Sequence, residues 1–153
     1  MPRRFGLTAA EMRGLEQIHV DAAVRRAVLS SARRAAAAGD EACAALYGTA
    51  DGPVLRIGRL RRLDNAASGA CLAVPVASLL DGGGPDRLVG LFHSHPRSEA
   101  VPSDLDRLAI ARLPFVWAIA GATGGWTLRF FAWSAAGLRE LPGQAVPGQR
   151  IST

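Results

Sequence analysis

Apolar residues make up 49% of the 153 residues, enough for one domain with its own core, which excludes a disordered polymer. No apolar run is long enough to span a bilayer, and the basic start "MPRRFG" has no apolar stretch behind it. Neither a membrane helix nor a secretory leader is therefore expected, and the expected location is the cytoplasm. The net charge is +5 and all 18 basic residues are arginine, but they fall in scattered pairs with no aromatic platform between them, so neither nucleic acid nor membrane is an expected partner.

In chain order, residues 1–14 read as a poorly specified extension. A short strand is predicted over "LEQIHV", residues 15–20. Asp21 then stands as an N-cap for "AAVRRAVLSSARRAAAA", where Val24, Val28, Leu29 and Ala32 mark an apolar face and arginine pairs mark the other. Gly39 is placed to end that helix. "EACAALYG" reads as a buried strand, and the turn "TADG" joins it to "GPVLRIGRLRRL" as a hairpin. "LDNAASGACLAVP" continues extended, and "VASLLDGGG" is a helical turn with a glycine stop. Cys43 and Cys71 lack CxxC spacing and read as buried or spare thiols.

"DRLVGLFHSH" is an apolar run suited to an interior strand. A loop leads to a helix starting near Ser103, and "FVWAIAG" and "WTLRFFAWS" form two more strands around "ATGG". The stretch from Pro142 onward is Pro- and Gly-rich and is expected to be irregular. The pattern predicts a single α/β domain over residues 15–141. Its expected core is a mixed, curved β-sheet with a helix packed on each side.

Chemistry concentrates in "FHSHPRSEAVPSDLD". Side chains at i and i+2 of a strand share a face, so His93 and His95 stand side by side and Ser94 points the other way. Ser103 and Asp106 have the spacing of a capping box, which by itself is a structural motif without chemistry. Together, two imidazoles and a carboxylate at a helix start match how catalytic zinc is held, by three protein ligands and one open position.

The pattern His93-x-His95-x7-Ser103-x2-Asp106 resembles the signature of the JAMM/MPN+ (JAB domain) zinc metalloproteases, of the bacterial stand-alone type. Upstream, Glu41, Cys43, Leu46 and Gly48 resemble that family's bacterial E-x-C-G-x-L-x-G pattern, with Ala44 in place of the glycine. The resemblance spans about residues 18–133 and implies a three-layer, cytidine-deaminase-like MPN/JAB architecture. It implies that His93, His95 and Asp106 bind one Zn2+. Glu41 would be the general base, passing the water's proton to the leaving amine, and Ser103 would help stabilise the oxyanion. His19 lies outside the motif and reads as structural.

The implied activity is a deubiquitinase-like peptidase or isopeptidase. It would cut after the C-terminal glycine of a ubiquitin-like or sulfur-carrier protein, with E1- or E2-like proteins as possible pathway partners. An extended tail could present its carbonyl by adding as a strand beside the sheet. A phage-tail or cell-wall JAB peptidase is the alternative enzyme. A non-catalytic MPN-like scaffold or a DNA-associated JAB relative is the alternative from another class. Scaffolds generally lack the full ligand set, and the DNA-associated branch carries His-Asn-His-Pro-Ser-Gly where this chain has His-Ser-His-Pro-Arg-Ser. A zinc deaminase would need H-x-E and P-C-x-x-C, and neither is present. Biased codon usage explains the missing lysines more simply than protection from lysine modification does.

Overall fold

The computed structural model describes residues 5–63 and 86–148. Among the described residues eight strands form one sheet: β1 (Gln17–Asp21), β2 (Cys43–Asp51), β3 (Val54–Leu63), β4 (Arg87–His95), β5 (Val116–Gly121), β6 (Thr127–Ser134), β7 (Gly137–Leu141) and β8 (Gly143–Val146). Their order across the sheet is β7-β6-β5-β4-β2-β3-β1-β8. The described helices are α1 (Ala9–Gly14), α2 (Ala22–Ala37) and α3 (Asp104–Arg112). The sheet is mixed, because β4 pairs antiparallel with β2 and parallel with β5.

The two faces of the sheet carry separate cores. On one, Val24, Val28, Leu29 and Ala32 of α2 pack on Leu46, Val89, Phe92, Ala118 and Phe130. On the other, Ile110 of α3 packs with Ala45, Tyr47, Trp117, Ile119 and Phe131. A helix on each side of a mixed sheet is the expected α/β architecture. The apolar runs of β4 and β5 sit at its centre for a simple reason: every residue of β5 is buried, and only an interior strand covered on both faces needs that composition.

Local signals act as their chemistry requires at most element ends. At the end of α2, Gly39 adopts φ 76, while its N–H donates to Ala36 O and the Asp40 N–H to Ala35 O. That Schellman arrangement stops the helix and turns the chain toward Glu41. At its start, Asp21 occupies the N-cap position but makes no side-chain cap bond. Its carboxylate instead accepts from Arg56 Nη2 at 2.9 Å and Nε at 3.2 Å, because the parallel pairing of β1 with β3 brings the guanidinium beside it.

Three expectations change. Residues 5–14 are built into the domain: Gly6 N–H donates to Leu88 O, Leu7 is buried, and α1 carries a capping box between Thr8 and Glu11. The stretch after Pro142 is not wholly irregular, since β8 pairs parallel with β1 and forms an edge of the sheet. Cys43 is disulfide-bonded, not a thiol. Cys71, the extended stretch after Leu63 and the turn "VASLLDGGG" lie outside the described residues. Among the described residues no helix is long and apolar enough to cross a membrane.

Candidate metal centre

Strand β4 delivers both histidines to one face at its C-terminal end. His93 is 2% exposed, and its Cα partners are Cys43 on β2 and Ile119 on β5. Ser94, on the opposite face, is fully buried; its Oγ accepts from the Ala42 N–H at 2.8 Å, and its own N–H donates to Ala42 O at 3.1 Å. These two bonds tie the histidine strand to the residue that follows Glu41.

Beyond Pro96, the loop folds back over the end of β5. A Cβ at Gly121 would run into the backbone of Glu99 and Ala100, so this crossing requires a glycine. The close approach places Glu99 O 2.9 Å from His95 Nδ1. A carbonyl can only accept, so His95 carries a proton on Nδ1 and, in the neutral ring, presents a lone pair on Nε2.

The third element is the first turn of α3. Ser103 Oγ accepts from the Asp106 N–H at 3.2 Å, and the Asp106 carboxylate accepts from the Ser103 N–H at 2.8 Å. The capping box thus fixes the carboxylate's direction as well as starting the helix. Asp106 is buried, with Oδ1 3.0 Å from His93 Nε2 and Oδ2 3.1 Å from His95 Nε2. The two Nε2 atoms are themselves 3.1 Å apart. Three potential ligand atoms therefore converge on one point.

That arrangement fits a cation. A tetrahedral zinc with bonds of about 2.0–2.1 Å holds its ligand atoms roughly 3.3 Å apart, close to the separations seen here. Two imidazole nitrogens and a carboxylate turned toward one another need a positive centre between them. Burial alone would raise the Asp106 carboxyl, but hydrogen bonds from His93 and His95 hold it well below the usual carboxylate range. The Asp106 hydrogen bond raises His95 against the opposing effect of burial, with help from Glu99 O and the nearby charge of Glu41.

A model of the prokaryotic homologs of the JAB domain matches residues 21–134, a span that contains every group just described. The chain belongs to this family. The solution structure of protein DSY2949 from Desulfitobacterium hafniense shares the fold, with TM-score 0.66 at 24% identity over 86% of this chain and 94% of that one. No curated protein matches the chain.

In this JAB domain, His93, His95 and Asp106 form a group that could hold a metal ion, their ligand atoms lying within 4.8 Å of one another. Glu41 precedes β2 and is partly buried, near enough to His95 for its charge to be felt there. Ser103 is exposed at the helix start. Glu99 and Asp104 are exposed, and their carboxylates are not part of the group. His19 lies three strands from β4 across the sheet, where its Nε2 is 3.1 Å from Gln144 Nε2.

Sequence reasoning missed two supporting residues. The Ser94 link to Ala42 joins residues 52 apart in the chain, and no local pattern announces it. Gly121 ends the apolar run "FVWAIAG", and nothing local shows that a loop crosses it.

Proposed function

We propose that this JAB domain is a zinc-dependent peptidase or isopeptidase that cuts after the C-terminal glycine of a ubiquitin-like or sulfur-carrier protein. The observation that carries the reading is the convergence of His93 Nε2, His95 Nε2 and the Asp106 carboxylate, with His95 oriented by the loop carbonyl of Glu99 and Asp106 by the helix cap. His93, His95 and Asp106 would hold the zinc, which would supply Lewis-acid chemistry and activate water near neutral pH.

The chain's own groups do the rest. Glu41 takes a proton from the attacking water as the oxygen adds to the scissile carbonyl. It returns that proton to the amine as the C–N bond breaks. Ser103 Oγ accepts the Asp106 N–H and still has its own hydroxyl proton to donate, so capping leaves it free to stabilise the developing oxyanion.

A protein substrate is supported by the surface beside these groups. Leu105 and Leu108 on α3 are 64% and 54% exposed, and Val101 precedes the cap, giving apolar side chains on which a partner can rest. β4 is already paired on both sides, so a substrate tail reaches the histidines across the strand ends rather than by extending the sheet next to them.

The test is metal analysis of the purified chain with cleavage of ubiquitin-like C-terminal fusions. Zinc at one equivalent and release of the fused partner are expected. Glu41→Gln should retain zinc and lose cleavage; full activity in that variant would remove Glu41 from the mechanism. E1- and E2-like proteins are candidate pathway partners, testable by co-purification with the native protein.

A further inference from the structure

The carboxylate, the Glu99 carbonyl and the Ser94 link account for most polar groups around the histidines, but one ring nitrogen is left over. His93 Nδ1 is buried and has no hydrogen-bond partner, and Trp117 Nε1 is buried without one as well. Both residues line the same small cleft, ≈ 20 Å³ in volume, whose other walls include Cys43, Leu63, Leu91 and Phe92. Trp117 is 3% exposed, and its ring meets His93 edge-on, with centroids 5.8 Å apart and planes at 79°.

The protonation pattern decides what this cleft can take. With Nε2 of His93 turned to Asp106 and His95 as a metal donor, the neutral ring keeps its proton on Nδ1. The indole nitrogen is always a donor. Two buried N–H groups thus belong to residues that line a mostly apolar space, and burying them without an acceptor costs free energy. One oxygen atom can accept from two N–H groups, each at about 2.9 Å. A water needs about 10–15 Å³ of such space and at least two polar partners, and the cleft offers both.

We propose that this cleft binds one water molecule that accepts hydrogen bonds from His93 Nδ1 and Trp117 Nε1, which makes Trp117 a positioning residue for the metal ligand His93. The role is equivalent to that of Glu99 O at His95. Each imidazole is then held in its tautomer and ring orientation by an acceptor on the side away from the metal. The inference rests on the reading that His93 binds the ion.

Trp117→Phe tests it, because phenylalanine keeps the ring body and its edge contact but removes the N–H. The zinc dissociation constant, measured on the full chain by chelator competition, should rise about 10- to 100-fold. The 15N-labelled protein should show the His93 Nδ1–H signal protected from exchange in the parent and exposed in the variant, an effect that mere loss of packing would not single out. Leu63→Phe fills the cleft with Trp117 intact and should weaken zinc in the same way, so the inference stands or falls even if Trp117→Phe does not fold. Zinc affinity and His93 exchange unchanged in both variants would overturn the water site and leave the metal centre standing. A parent chain that binds no zinc would overturn the metal reading, and this inference with it.

Discussion

The Ala42 N–H donates to Ser94 Oγ at 2.8 Å, across 52 residues and inside the core. Ser94 separates the two histidines, and Ala42 follows Glu41. The bond therefore couples the position of the proposed base to the position of the proposed metal ligands. Removing the hydroxyl deprives a buried donor of that acceptor, which costs about 1–3 kcal/mol. Ser94→Ala should lower unfolding free energy by that amount in denaturant titration. It should also slow cleavage by more than it weakens zinc, since the ligands themselves are untouched.

Gly121 gives a second prediction. Any side chain there collides with the backbone at Glu99 and Ala100. The loop must then lift, and Glu99 O leaves His95 Nδ1. Gly121→Ala should cost about 1–3 kcal/mol of stability through overpacking. It should also weaken zinc, because His95 loses the acceptor that orients it. Chelator competition and thermal melts on one preparation check both.

Ser103 combines two roles that substitution can separate. Ser103→Ala removes the cap acceptor and should cost about 1 kcal/mol. Ser103→Asp keeps an acceptor at the cap but has no hydroxyl proton to donate. Its stability should stay near the parent's, while turnover should fall on the order of 10²-fold if the hydroxyl stabilises the oxyanion. Equal activity in Ser103→Asp and the parent would confine Ser103 to capping.

Acid should weaken the hold on the N-terminal segment. The bidentate hydrogen bonds from Arg87, at 2.7 and 2.9 Å, hold Glu11 down from 4.5 to about 2. A depressed carboxylate pKa contributes stability that is fully present above pH 4.5 and is lost as pH falls through about 2. The pair is partly solvent-screened, so the contribution is about 1 kcal/mol. Glu11→Gln should flatten the stability profile between those two pH values, read by urea denaturation at each pH.

The site was more legible in the sequence than its supports were. His93, His95, Ser103 and Asp106 reveal themselves because strand alternation and a helix cap act over two or three residues. Glu41 was found only through a family pattern, since an isolated acid before a strand has no local signature. Ser94 was placed on the correct face by alternation, yet its acceptor role depends on β2 lying alongside β4. Trp117 lies within the apolar run "FVWAIAG", where nothing local marks its N–H, which is left unpaired in the folded core.

The sequence by itself determined the types of α2, α3 and β1 to β6, the apolar faces of α2 and β5 and the spacing of His93, His95 and Asp106, because periodicity and capping depend on near neighbours. Tertiary structure alone decided where the segments around Gly6 and Gly143–Val146 belong. Gly6 bonds to Leu88, and Gly143–Val146 pairs with β1, although composition makes both stretches look irregular. It also diverted Asp21 from its cap to Arg56 and placed the disulfide at Cys43. Each of these depends on a partner distant in the chain, and such contacts exist only once the sheet has been ordered.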